Sequence, residues 1–270
     1  MSVVDRLGGA DQAGVARVVG GGVGRALRAA GRSFAFVIDT VLLIFRRPFA
    51  LHEFIDQSWF VAKVSILPTV LLGIPFTVLG VFTFNIVLVD FGAADASGAL
   101  AAIGSVTQIG PVVTVLVVAG AGATAMCADL GARTIREELD ALKVMGVDPI
   151  QTLVVPRVLA AAMVSVLLFS VVVLVGLAGG FAFSVFVQHV NPGAFGAGLT
   201  ALTDVGDVMQ SLFKAFLFGA VAGFIACFKG FSVRGGPAGV GNAVNETVVY
   251  AFVALFAINI IVTTAAIRVK

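Results

Sequence analysis

Charge is what this sequence has least of. Only 12% of its 270 residues are Asp, Glu, Lys or Arg, against 59% hydrophobic residues, whereas a soluble domain carries about 25% charge. So little polar surface cannot coat a water-soluble globule, and the remaining solvent is lipid. Cysteine is scarce too: Cys127 and Cys227 both fall near span ends on the side the charges below make cytoplasmic, which argues against a structural disulfide and for simple packing. The two histidines, His52 and His189, stand in no metal-ligand spacing. The N-terminus lacks a secretory signal, because the apolar run Phe34 to Phe45 is interrupted by Asp39, closed by Arg46-Arg47-Pro48 and followed by no small-residue cleavage site. The Gly-rich stretch 235–241 lacks the Lys-Ser/Thr ending of a phosphate loop and reads as a tight turn. No Ser/His/Asp or Cys/His arrangement is persuasive. An enzyme, and an ATPase in particular, is not expected within this chain, nor is a nucleic-acid partner.

What is present is apolar length. A span needs roughly 20 apolar residues, and five stretches qualify: Val64–Leu88, Gly104–Ala128, Thr152–Val187, Val208–Phe228 and Ala243–Ile267. Pro68, Pro75 and Pro111 lie inside them, which membrane helices tolerate when neighbours re-satisfy the freed carbonyls. In the second, the run Ala119 to Ala125 places Gly120 and Gly122 where another helix can approach closely. The third would be a helix of about 54 Å at 1.5 Å per residue, far beyond a core of roughly 30 Å. It is either one long tilted helix or one broken near Gly176–Gly180. Upstream, residues 1–32 are rich in Gly, Ala and Arg and read as a flexible cytoplasmic tail. Residues 33–62 combine an apolar face with Arg46, Arg47, Glu53, Asp56 and Trp59. They read as amphipathic helices lying in the inner interface, with a short cytoplasmic hairpin as the alternative.

The basic residues set the orientation. Eight Lys or Arg residues precede the first span, Arg133, Arg136, Lys143 and Arg157 surround the loop between spans two and three, and Lys229 and Arg234 lie between four and five. The loops 89–103 and 188–207 hold no Lys or Arg, only Asp90, Asp95, Asp204 and neighbouring Asp207. By the positive-inside rule the N-terminus is cytoplasmic, stretch three crosses once and the C-terminus is extracytoplasmic, despite Arg268 and Lys270. The expected fold is therefore all-α: one or more N-terminal interfacial helices, then five transmembrane helices from residue 63 to residue 270.

The second cytoplasmic loop carries a helix of its own. Thr134 and Glu137 have the spacing of a capping box. Ile135, Leu139, Leu142 and Met145 share one face, opposite Arg136, Glu137, Asp140 and Lys143, and Gly146 and Pro149 end the helix. Helices that rest on headgroups favour Lys and Arg. The acids Glu137, Glu138 and Asp140 around an apolar ridge better suit a groove in a partner protein.

The segment Glu137 to Pro149, followed by Leu153-Val-Val-Pro-Arg-Val-Leu-Ala160, resembles the signature of the MlaE/YrbE permease family, the membrane part of Mla and Mce lipid ABC transporters. The resemblance extends through Gly110-Pro111, Ala128-Asp129-Leu130-Gly131 and Gly235 to Thr247, and covers roughly residues 45 to 267. Phe91 to Asp95 and Cys127 to Glu138 are similar in particular to the A-type YrbE permeases of actinobacterial Mce operons. The resemblance implies that the helix of residues 134–146, with Arg133 beside it, is the coupling helix seated in a cytoplasmic ABC ATPase dimer, where ATP and magnesium would bind, so that this chain holds no cofactor. It further implies a second permease as partner, normally a B-type one in a heterodimer, a ring of periplasmic MCE-domain proteins and a lipid cargo. Asn191 to Phe195 is similar to A-type permeases of sterol-importing operons, with fatty or mycolic acids as the alternative cargo. Thr107-Gln108 stands where the Mla branch has Arg-Glu, and Ala121 replaces an arginine, so a charged pair in the cavity cannot be carried over; a more apolar cargo path is the expectation.

Three polar groups remain. Gln108 is a candidate gating or structural group. Glu246, a few residues into span five, either pairs with Lys229 or Arg234 or gates. Lys214 in span four is expected to snorkel outward. An ion-coupled secondary transporter would want paired intramembrane acids or an inverted repeat, and neither is visible. A scaffold that anchors a lipid-binding complex without transporting is the other alternative.

Overall fold

The computed structural model describes residues 31, 34–44, 50–92 and 96–269. The tail 1–32, apart from Gly31, and the motif end at Asp95 lie outside the described residues. Residues 1–46 and 47–270 form separate units. In the first, helix α1 (Phe34–Ile44) exposes Phe34, Ile38, Val41 and Leu42 along one side.

The second unit is helical throughout its described elements. Its first helix, α2 (Leu51–Asp90), is unbroken over 40 residues. Residues 51–62, expected to form an interfacial helix, are one continuous helix with the first span. Nothing between Leu51 and Lys63 breaks a helix, and the breakers present fall deeper, at Pro68 and Pro75. Near each proline a threonine donates back to a carbonyl, Thr69 Oγ1 to Ser65 O at 2.7 Å and Thr77 Oγ1 to Gly73 O at 2.5 Å. These bonds reach carbonyls one and two residues beyond those the prolines free, and the helix continues without a break.

Span two is built from α3 (Ser97–Ile103), a π segment (Gly104–Ile109), α4 (Gly110–Val117), a second π segment (Val118–Ala123) and α5 (Thr124–Ile135). After a short helix α6 (Glu138–Val144), a third π segment (Ile150–Val154) leads into α7 (Val155–Phe186). Then come α8 (Pro192–Leu199), α9 (Val205–Phe231) and α10 (Pro237–Val269). Five helical spans are long and apolar enough to cross a membrane. The alternative for stretch three is resolved: α7 runs unbroken through Gly176 and Gly180. Those glycines receive neighbours instead, Thr77 and Ser105 at Gly176, Val81 and Ala101 at Gly180.

The spans α2, α7, α9 and α10 pack in that order, and span two crosses against all four. Its Val113, Val115, Val117, Ala119 and Met126 are buried against Leu168 and Val172 of α7, Phe218 and Ala222 of α9 and Leu255 of α10. The outer faces of α2 and α10 stay apolar and uncovered, with Leu67, Leu71, Val253 and Ile260 pointing outward. Cys127 and Cys227 are both free and buried.

Close packing falls elsewhere than expected. Gly120 faces open space, and Gly122 meets Ser65 and Val61 only at ordinary contact distance. The tight crossing joins α7 to α9: a Cβ on Gly219 would strike the Ala161 carbonyl oxygen and Ser165 Oγ. Ser165 Oγ also donates to Ala215 O at 2.5 Å, so the two helices are held at backbone distance by a hydrogen bond as well as by shape. Gly219→Val should cost about 1–3 kcal/mol through overpacking, and Gly120→Val should stay within about 0.5 kcal/mol of the parent. The thermal unfolding midpoints of the purified proteins in detergent check both.

Candidate functional site

Two clusters of polar groups stand out, one at each end of the bundle. At the end that carries most basic residues, the predicted loop helix of 134–146 is divided. Helix α5 continues to Ile135, so Arg133, Thr134 and Ile135 belong to the span. Thr134 does not cap anything: its Oγ1 donates to Leu130 O and to Gly230 O of α9, both at 2.9 Å. A hydroxyl inside a helix can serve the carbonyl four residues back, and here a second carbonyl from α9 shares it. The chain then turns at Arg136 and Glu137. Glu137 takes φ 59°, a left-handed conformation unfavourable for a residue with a Cβ.

Helix α6 therefore spans seven residues. Arg136 Nε pairs with Glu138 Oε1 at 2.7 Å and Lys143 Nζ with Asp140 Oδ1 at 2.8 Å. At its end, the Gly146 amide donates to Lys143 O and the Val147 amide to Leu142 O, each at 3.0 Å. With Gly146 at φ +76°, this is the Schellman arrangement that a glycine just past the last turn permits. Leu139 is buried and Leu142 half-buried, as an inward face requires. Met145, expected on that face, protrudes at 68% exposure beside Val144 at 89%, because the shorter helix starts four residues later and ends before it.

Beneath α6 lies a group that the sequence pattern did not single out. Arg157 is fully buried. Its Nη1 reaches Glu53 Oε1 at 3.1 Å and Leu153 O at 3.0 Å, and its Nη2 reaches Asp129 Oδ2 at 2.8 Å. Asp129 Oδ2 also faces Arg133 Nε at 3.5 Å. One guanidinium thus ties together α2, α5 and α7. The available signal was a single acid near the basic end of two stretches and a lone arginine near the start of a third. Nearby, Glu246 pairs with Lys229 at 2.5 Å, and the Lys229 ammonium lies 4.2 Å from the centre of the Tyr250 ring. Glu246 is thereby placed in a pair between α9 and α10.

At the opposite end, a cavity of about 180 Å³ opens between span two, α9 and α10. Thr107 and Gln108 of the first π segment line it, with Gln210, Ser211 and Lys214 of α9 and Thr263 of α10. Lys214 does not snorkel outward: it is 1% exposed, and its Nζ donates to Thr263 Oγ1 at 2.9 Å. It sits nine residues into α9, about 14 Å from the helix start, and its face of the helix points inward. This cavity therefore holds a lysine from within a span beside Thr107 and Gln108.

Five apolar spans around polar clusters at both ends define a multi-pass membrane protein with no hydrolytic machinery on view among the described residues. Residues 54–265 match the model of the MlaE permease family. A probable ABC transporter permease protein of Synechocystis sp. is 34% identical over 181 residues, 66% of this chain and 69% of that protein. The permease protein MlaE of the intermembrane phospholipid transport system of Haemophilus influenzae is 30% identical over 179 residues, 66% and 69%. A probable ABC transporter permease of Rickettsia conorii is 28% identical over 251 residues, 92% and 96%. The chain belongs to the MlaE permease family and is a permease subunit rather than an enzyme.

Removing Arg157 leaves two carboxylates facing each other across α2 and α5. Arg157→Met should cost about 3 kcal/mol, the lower end for a broken buried pair because Glu53 and Asp129 keep some contact with water. Adding E53Q and D129N should recover most of that loss. Unfolding of the three proteins in detergent measures it.

Proposed function

We propose that this chain is the membrane permease of an Mce-type ABC transporter that moves hydrophobic lipid, a sterol or a fatty or mycolic acid, inward across the plasma membrane. The observation that carries the coupling is the shape of α6. It is a short, capped helix whose buried side is Leu139 and whose outward side offers Val144 and Met145 among Arg136, Asp140 and Lys143. An apolar knob inside a ring of both signs suits a groove in another protein. A cytoplasmic ATPase dimer, holding ATP and magnesium, is the partner we assign to it. The distribution of basic residues supports a cytoplasmic N-terminus and an extracytoplasmic C-terminus.

In this scheme nucleotide-driven closure of the ATPases displaces α6, and the spans re-pack around an apolar path between this chain and a second permease, of B type. Such a cycle needs nucleotide to bind one arrangement more tightly than the other. A ring of MCE-domain proteins on the outer side would deliver the lipid. Membership of the family supports the lipid class, since the Haemophilus relative is named for phospholipid transport. The inner membrane is the location that fits all of these partners.

Val144→Asp with Met145→Asp alters only exposed side chains and should leave the fold intact. Co-purification of the ATPase should fall at least tenfold, about 1.4 kcal/mol of association, and cellular lipid uptake should fall with it. Charge reversal at Glu137, Glu138 and Asp140 should act in the same direction. A scaffold would keep its outer partners and its lipid phenotype while losing the ATPase, and that result overturns the transport assignment.

A further inference from the structure

The fully buried Arg157 is not explained by stability alone. Taking a guanidinium and its carboxylates out of water is costly, and apolar side chains of similar volume often replace a buried ion pair without loss. The role best attested for such groups is to fix the register of the elements they join. The partners of Arg157 fit that role. Glu53 lies in the first turn of α2, Asp129 in α5, and Leu153 in the π segment that leads into α7. Each carboxylate oxygen is also held from its own helix. The buried Gln57 donates its Nε2 to Glu53 Oε1 at 3.1 Å, the same oxygen that Arg157 meets. Arg133 Nε lies 3.5 Å from Asp129 Oδ2, the oxygen that accepts from Arg157. The acids are therefore set in place on α2 and α5, and Arg157 joins two prepared positions.

The link to α2 is one of two fastenings between that helix and α7. At the other end Asn85 Nδ2 donates to Ser184 Oγ at 2.8 Å, and both residues are buried. Residues 53 to 85 of α2, at 1.5 Å per residue, separate the fastenings by about 48 Å. Between them Gly176, Gly179 and Gly180 of α7 admit Thr77, Val78 and Val81 of α2 at close range, the small-residue contact that membrane helices use. Two helices bonded at both ends and fitted in between have little freedom to slide past each other. The chain from α6 enters this pair through Leu153, whose carbonyl Arg157 already holds.

We propose that Arg157 is a positioning residue for transport: by locking Glu53 of α2 to the start of α7, it makes a displacement of α6 move α2 and α7 together. The proposal rests on the reading of α6 as the helix that docks the ATPase. Without the link to α2 the ATPase still docks and hydrolyses ATP, but α2 no longer follows and less lipid moves for each ATP spent. A staple that served stability alone would change assembly and leave that ratio unmoved.

The test uses the full-length chain, assembled with its permease and ATPase partners in proteoliposomes, with radiolabelled palmitic acid and cholesterol as probes. Three quantities are read: co-purification of the ATPase, the rate of ATP hydrolysis, and lipid moved per ATP hydrolysed. Glu53→Met cuts the link to α2 and leaves Arg157 paired with Asp129. It should hold co-purification and hydrolysis within twofold of the parent and lower lipid per ATP at least tenfold. Asp129→Leu leaves the link to α2 and should keep lipid per ATP within threefold. Parent-like transport in E53M overturns the proposal, as does an equal fall of lipid per ATP in E53M and D129L. Loss of the ATPase from E53M also overturns it, because the network would then act on docking. Should E53M fail to assemble, the triple variant R157M/E53Q/D129N decides, since it leaves no buried charge unpaired: a tenfold fall in lipid per ATP supports the role, and parent-like coupling overturns it. If the parent complex moves neither probe on ATP, the transport assignment falls and the positioning role with it.

Discussion

Hydrocarbon offers no hydrogen bonds, so every polar group carried into this bundle has to meet its partner within the protein, and the arrangement of the spans follows from that demand. Backbone carbonyls near the prolines of α2 are served by Thr69 and Thr77. Ser165 spans the close crossing of α7 and α9 to reach Ala215 O, and Asn85 Nδ2 bridges α2 to Ser184 of α7 at 2.8 Å. The Ser165 bond sits where Gly219 brings α9 against α7, so polar satisfaction and small-residue packing act at the same place there. The apolar remainder fills the space between them.

The same demand is harshest for charge, and the chain meets it differently at its two ends. At the basic end Arg157 is enclosed by carboxylates from two other helices, and Lys229 by Glu246 and the Tyr250 ring. These pairs are largely closed within the chain. At the other end Lys214 is held by a single hydroxyl beside a cavity. The bundle thus pairs its charges with opposite charges where α6 attaches and with a neutral hydroxyl at the far end.

The number of spans and the apolar centre of each were readable from the sequence because apolar length is a property of each segment alone. The same holds for Gly146, whose left-handed turn follows from local chemistry, and for the pairing of Glu246 with Lys229, which two charges near adjoining span ends suggested. What escaped was decided by partners distant in sequence. Thr134 has the spacing of a cap, but the carbonyl of Gly230, 96 residues away, takes its hydroxyl. Gly120 and Gly122 have the composition of a contact, yet backbone-close approaches fall at Gly98 and Gly219 instead. Lys214 has the depth of a residue that cannot reach water easily, but which side of α9 it occupies depends on α10. Residues 51–62 carry enough polar groups to suggest an interfacial helix, while their backbone has no reason to stop before Asp90.

Glu137 gives the loop an uneven mechanical character. The helix before it is fastened to α9 through Thr134, whereas the helix after it begins at one residue of unfavourable backbone conformation. A force applied to α6 would meet α5 through that single residue. On the other side it passes through Gly146 and Pro149 into the first turn of α7, where Arg157 already grips two neighbouring helices. The route to α7 is thus the one tied into the neighbouring helices, and α7 runs unbroken over 32 residues.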